Sequence, residues 1–112
     1  MRCHFQATGV PEESLPLWVQ QELLRIAQEA MSNALRHAKP TIISVNLRGD
    51  PANLVLEIID NGTGIGDSQS TSKEGFGFPS MRARAKNIGA QLEVRTAGGG
   101  GTIIVVRVPM DF

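Results

Sequence analysis

The run Leu54-Val55-Leu56-Glu57-Ile58-Ile59-Asp60-Asn61-Gly62-Thr63-Gly64-Ile65 decides how this chain folds. Its first half is apolar on both faces except at Glu57, which predicts a strand in the middle of a sheet. Asp60 closes that strand in phase with Leu54, Leu56 and Ile58. A carboxylate in the core phase is costly unless something donates to it, and an ionised Asp only accepts. The exocyclic amine of adenine is such a donor. Guanine presents a carbonyl oxygen there, so the same carboxylate would discriminate against it. Gly62 and Gly64 let the backbone bend and come close to a base. Asp-Asn-Gly is also among the commonest turn sequences, and this fragment alone reads as a turn.

Upstream, Glu29-Ala30-Met31-Ser32-Asn33-Ala34-Leu35-Arg36-His37-Ala38 ends a helical pattern from Leu17 to Ala38. Val19, Leu23, Ile26, Ala27, Ala30 and Ala34 recur at three- and four-residue steps. At about 100° per residue, Arg25, Gln28, Ser32 and Arg36 point away from that stripe. Glu29, Asn33 and His37, spaced i, i+4, i+8, step from its flank towards it. Polar groups so placed need partners. They can bond neighbouring loops and cap backbone groups, or they can hold a ligand. The trio flanks a sheet that ends in Asp60, which favours the ligand. Pro40 bars the helix from continuing.

Ile43, Val45 and Leu47 alternate with Ser44, Asn46 and Arg48 as another strand. Gly49-Asp50-Pro51 is a turn, and residues 3–8 alternate weakly as an edge strand. Residues 66–74 are small and polar and read as a loop. Gly75-Phe76-Gly77-Phe78 then leads into a helix from Pro79 to Ile88, with Met81, Ala85 and Ile88 inward and Gly89 as its stop. Helix N-termini bind anions through free N–H groups, and flanking glycines let phosphates approach. The run is neither a dinucleotide fingerprint nor a Walker P-loop. Arg82, Arg84 and Lys86 read as a solvated face first, and as a face that meets a partner domain second. Gln91 to Thr96 and Thr102 to Pro109 are strands around the glycine-rich Ala97 to Gly101, which reads as a hairpin. Thr102 shares a face with Ile104 and Val106 and could set its hydroxyl beside the adenine. These elements predict an α/β two-layer sandwich, with helices packed on one face of a mixed sheet.

The bulk numbers set bounds. A chain of 112 residues, 41% apolar, suits one domain with a modest core. A formal net charge of zero lacks the whole-chain footprint of a nucleic-acid binder. Cys3 stands alone, so there is no intrachain disulfide and no cysteine metal site. No apolar run approaches the roughly 18 residues that span a bilayer, and no signal-peptide pattern follows Met1.

In order and spacing, the four runs resemble the N, G1, G2 and G3 boxes of the GHKL ATPase superfamily, over about residues 20 to 108. Gln28-Glu29-Ala30 with Asn33 to Ala38, and Gly75 to Phe78 with Ser80-Met81-Arg82-Ala83-Arg84-Ala85, are most similar to bacterial sensor histidine kinases of the nitrate-sensing and degradative-enzyme-regulating group. The resemblance implies one domain over residues 1–112, a piece of a longer kinase. Its sheet would be mixed and mostly antiparallel. ATP and Mg²⁺ would be its ligands. Asn33 would coordinate Mg²⁺, and Glu29 would hold or activate a metal-bound water. Arg36 and His37 would lie near the phosphates. Asp60 would fix adenine, with Gly62, Gly64 and Ile65 lining its pocket and Thr102 anchoring it through water. Gly75, Phe76, Gly77 and Phe78 would hinge a lid formed by residues 66–74, and Met81 would join the nucleotide-binding set.

The partner implied is a dimerisation and phosphoacceptor domain carrying the accepting His, with a response regulator served indirectly. Neither His4 nor His37 has the acidic neighbour typical of an acceptor. The domain is expected to be cytoplasmic and monomeric in isolation, within a parent that can be anchored in the inner membrane. Two rivals remain: an anti-sigma-factor serine kinase of the same fold, and a docking module with a degenerate pocket. The Ser80 to Ala85 run argues against the first. Intact Asn33, Asp60, Gly62, Gly64, Gly75 and Gly77 argue against the second.

Overall fold

Buried and half-buried residues alternate without a break from Leu54 to Asp60, and that segment becomes the centre of a five-stranded sheet. The computed structural model describes residues 2–9, 15–62, 78–96 and 100–110, with only the backbone of His37 and Ala38. The elements are β1 (Arg2–Thr8), α1 (Leu17–Asn33), β2 (Ile42–Gly49), β3 (Asn53–Asp60), α2 (Phe78–Asn87), β4 (Gln91–Thr96) and β5 (Thr102–Pro109). The expected loop over 66–74 lies outside the described residues.

Strand order is β1-β2-β3-β5-β4. β1 runs parallel to β2, and every other neighbouring pair is antiparallel. The sheet is therefore mixed and mostly antiparallel, and β1, as expected, is an edge. Its parallel pairing follows from α1, which carries the chain back to the start of β2. Phe5 stands opposite Val45 in the core phase, yet β1 is exposed along its whole length.

Helix α1 buries Val19, Leu23, Ile26, Ala30 and Asn33, the stripe its periodicity predicts. The four apolar ones pack with Ile43, Leu54, Leu56 and Ile58 from the sheet and with Phe78, Met81 and Ala85 from α2. Helical winding was expected to reach Ala38, and it does. The last turn, Ala34–Ala38, widens to a π-helix, however. Lys39 then takes a left-handed conformation (φ 49°) before Pro40, so the helix stops where proline forbids another turn.

Helix α2 starts at Phe78 rather than Pro79 and ends at Asn87 rather than Ile88. Past its end, the Ala90 amide donates to the Ala85 carbonyl at 2.8 Å and the Gly89 amide to that of Lys86 at 3.0 Å. Gly89 sits at φ 69°, the left-handed stop that such a pair of bonds requires. The turn at Asp50 is locked by its own side chain: Oδ1 accepts the amides of Ala52 and Asn53, each at 2.8 Å. Those two bonds, Asn53 first, hold the Asp50 carboxyl below its ordinary value.

Position along α1 sets the cost of a deletion. Ile26 is fully buried and Leu24 is 58% exposed. Ile26→Ala is expected to lower the unfolding free energy by about 2–5 kcal/mol in urea titration. Leu24→Ala should stay within about 0.5 kcal/mol of the parent chain.

Candidate nucleotide site

Asp60 is the last residue of β3 and keeps 7% of its surface exposed. It lies in register between Ile43 of β2 and Thr102 of β5, so the carboxylate and the Thr102 hydroxyl group are neighbours across one strand pair. Its Oδ1 accepts the Gly62 amide at 2.9 Å. A carboxylate offers about four acceptor sites. No described side chain donates to it, so one backbone amide is its described partner.

The residue after Asp60 works as a clip. Asn61 Oδ1 accepts the amides of Thr41 and Ile42, both at 2.9 Å, and its Nδ2 donates to Thr41 Oγ1 at 2.8 Å. Thr41 comes just after the helix that carries Glu29 and Asn33. The clip therefore ties the C-terminal end of that helical run to the C-terminal end of β3, and the two motif runs meet at one end of the sheet. Gly101 completes the strand end. It sits at φ 88°, and a Cβ there would collide with the Asp60 carbonyl oxygen, so only glycine lets β5 begin this close. Sequence reading missed both residues as parts of the site. Asn61 was absorbed into a turn and Gly101 into a hairpin.

On the helix, Asn33 is 6% exposed. Its Oδ1 accepts Arg36 Nη2 at 3.1 Å, while Arg36 Nε donates to the Ser32 carbonyl at 3.4 Å. Arg36 thus remains exposed, as its helical phase predicts, yet reaches back to Asn33. Glu29 is half-buried, and its Oε1 accepts Arg84 Nε at 3.1 Å and the Ser80 hydroxyl at 3.2 Å.

Arg84 is the clear departure from expectation. It does not belong to a solvated face: its guanidinium bridges Glu29 and Glu22, with Nη1 at 3.1 Å from Glu22 Oε1. Arg82 and Lys86, by contrast, are exposed as read. The two carboxylates, Glu29 first, push the Arg84 pKa further up. Glu22 Oε2 accepts Asn87 Nδ2 at 2.9 Å. That bond, with Arg84, holds the Glu22 carboxyl below its ordinary value against the opposing effect of desolvation.

Other predicted residues divide plainly. Gly62 is half-buried beside Asp60. Phe78 and Met81 are core residues, at 4% and 0% exposure. Gly64, Ile65, Gly75, Phe76 and Gly77 lie outside the described residues, as does the side chain of His37. Among the described residues, no group of three or more His, Cys, Asp or Glu side chains could hold a metal on its own.

Residues 18–111 match the family described as Histidine kinase-, DNA gyrase B-, and HSP90-like ATPase. The sensor histidine kinase LiaS of Bacillus subtilis is 38% identical over 101 residues, covering 90% of this chain and 28% of LiaS. The sensor protein VraS of Staphylococcus saprophyticus is 35% identical over 102 residues, covering 91% of this chain and 29% of VraS. The chain thus spans less than a third of the length of these relatives. Among solved structures, the Erythrobacter litoralis EL346 blue-light activated histidine kinase superposes with a TM-score of 0.74 at 27% identity, over 97% of this chain and 35% of that one. The histidine kinase domain of the E. coli osmosensor EnvZ gives 0.71 at 19% identity, over 96% of this chain and 74% of that one, which is a likeness of fold. The two-layer α/β architecture expected from the sequence is the architecture of these domains.

Two measurements test the geometry. Asn61→Ala removes the clip and is expected to cost about 1–2 kcal/mol in urea titration. The second concerns pH. The Glu22 pKa is depressed in the folded chain, so as the pH falls below about 4.3 the unfolded chain takes up the proton first. Stability contributed by this group is full above that pH and is lost below it. In thermal melts the acid-side fall of the midpoint should be shallower for Glu22→Gln than for the parent.

Proposed function

This chain belongs to the Histidine kinase-, DNA gyrase B-, and HSP90-like ATPase family, and from that premise we propose that it binds Mg·ATP and donates the γ-phosphate to a histidine on a separate dimerisation and phosphoacceptor domain. It would be the catalytic domain of a sensor histidine kinase in a two-component system, with a response regulator next in line. The observation that carries the reading is Asp60. A nearly buried carboxylate, bonded to one described backbone amide and set beside Thr102 at the sheet end, has acceptor capacity that an adenine amine satisfies. Sensor histidine kinases among the relatives and a light-activated histidine kinase among the structures support the phosphotransfer half of the proposal.

The residues present suit Mg²⁺, a hard cation that takes oxygen ligands and keeps several waters. Asn33 would hold it through Oδ1, an amide oxygen of the kind a hard cation takes. When bound, the ion neutralises charge on the phosphates. Arg36, beside Asn33, adds a cation in the same place. Glu29 is four residues before Asn33, on the same helical face, and would orient a water of the ion. Asp60 and Thr102 would fix the base, and Phe78 anchors the start of α2 in the core below it. In phosphoryl transfer the protein mainly positions and neutralises, and these are the tasks such residues can perform. His4 lies on the exposed edge strand β1 and His37 belongs to the nucleotide run, so the accepting histidine is assigned to the partner domain. A parent anchored in the inner membrane, with this domain in the cytoplasm, fits the proposal.

Calorimetric titration with ATP, ADP and GTP, each with and without Mg²⁺, tests it. Adenine-selective binding strengthened by Mg²⁺ is expected. Asp60→Asn should weaken ATP by at least about tenfold, the cost of a lost charge-assisted hydrogen bond. Asn33→Ala should remove mainly the gain that Mg²⁺ brings. Unchanged nucleotide affinity in both variants would overturn the site. Transfer of phosphate to a serine of an added protein, and not to a histidine, would redirect the proposal to the serine-kinase relatives of this fold.

A further inference from the structure

Two helical faces meet in a continuous chain of polar contacts. Glu22 and Glu29, seven residues apart, share one face of α1. Ser80, Arg84 and Asn87 share the facing side of α2. Contacts run from Asn87 to Glu22, from Glu22 to Arg84, from Arg84 to Glu29 and from Glu29 to Ser80, with distances between 2.9 and 3.2 Å. Arg84 is the branch point, with Nε on one carboxylate and Nη1 on the other. Its partner Glu22 is itself held through its second oxygen by Asn87. The guanidinium is therefore fixed before it acts on Glu29, which removes part of the ordering cost of a long side chain.

Both donors to Glu29, the Arg84 Nε–H and the Ser80 hydroxyl, fall on the same oxygen, Oε1. Among the described residues nothing donates to Oε2. One oxygen of the carboxylate is thus clamped and the other is left to work. Arg84 is 31% and Glu29 30% exposed, and pairs this wet contribute little to stability.

We propose that Arg84, with Ser80, is a positioning residue for Glu29: it clamps Oε1 so that Oε2 is held ready to accept a proton of a water bound to the nucleotide's Mg²⁺. The inference rests on the proposed role of Glu29 and names what aims it. Residues that orient the outer shell of a metal site in this way are commonly worth tenfold or more in metal affinity or activity. The clamp also joins the nucleotide helix to the first turns of α2, so the aim of Glu29 depends on α2 being docked.

Calorimetry of the whole chain with ATP, with and without Mg²⁺, reads the effect without relying on catalysis. Arg84→Met is expected to lose about tenfold of the affinity gain that Mg²⁺ confers, while affinity for metal-free ATP stays within about twofold. Arg84→Lys should recover part of the gain. Arg84→Met in a Glu29→Gln background should add no further loss, since the aimed oxygen is gone. Glu22→Gln breaks the other half of the bridge and serves as the control. It should change the thermal midpoint about as much as Arg84→Met, yet lose clearly less of the Mg²⁺ gain, because Arg84 Nε still donates to Glu29 Oε1. Arg84→Met that leaves the gain intact, or that weakens both forms of ATP equally, overturns the inference while the ATP site stands. A parent chain that binds no ATP, or gains nothing from Mg²⁺, overturns the underlying reading and this inference with it.

Discussion

Asp60 keeps a carboxylate almost out of water at the end of the central strand, and a single described amide does not offset that burial. Much of the surrounding structure follows from keeping it there. β2 and β5 must both pair along β3 to its last residue, which they do at Ile43 and Thr102. The chain must then turn at once, which Gly62 permits by donating to the carboxylate. β5 must start against the Asp60 carbonyl, which only Gly101 allows. The helical run must end near the same place, which Asn61 secures through Thr41 and Ile42. The carboxylate is thereby held at a fixed place at the end of the sheet.

Much of this was legible in the residues. Alternation between apolar and polar positions marked β2, because the pleat has a period of two, and a run apolar on both faces marked β3 as the central strand. The glycine-rich run between them separated β4 from β5, and both strands have the bounds read from the sequence. Asp60 stood out because its phase contradicted its chemistry. The widened turn at Ala34–Ala38 was not legible, since nothing in that run of residues distinguishes an i→i+5 turn from an α-helical one. The ends of α2 moved by one residue because Phe78 is drawn into the core and the stop is formed by the Ala90 and Gly89 amides, not by Ile88.

Arg84 shows where reading one helix at a time fails. On its own, α2 offers Arg82, Arg84 and Lys86 as a polar face, and two of the three are indeed exposed. What separates Arg84 is the face of another helix, with acidic residues at Glu22 and Glu29 spaced to meet it. Matching acidic spacing on α1 against basic spacing on α2 was the available signal. It required knowing that the two helices lie side by side. Asn61 was missed for a similar reason, because its partners Thr41 and Ile42 are twenty and nineteen positions away.

The edge strand β1 has a different consequence. Every one of its residues is exposed, and it is held chiefly by its ladder to β2. β3 and β5, by contrast, are paired on both sides and covered by the core. Local opening is easiest where few apolar contacts must break. β1 can therefore peel from β2 and return while the strand end at Asp60 and Thr102 stays closed. Its amides should trade protons with solvent by that small excursion, whereas those of β3 and β5 wait for the whole domain to unfold.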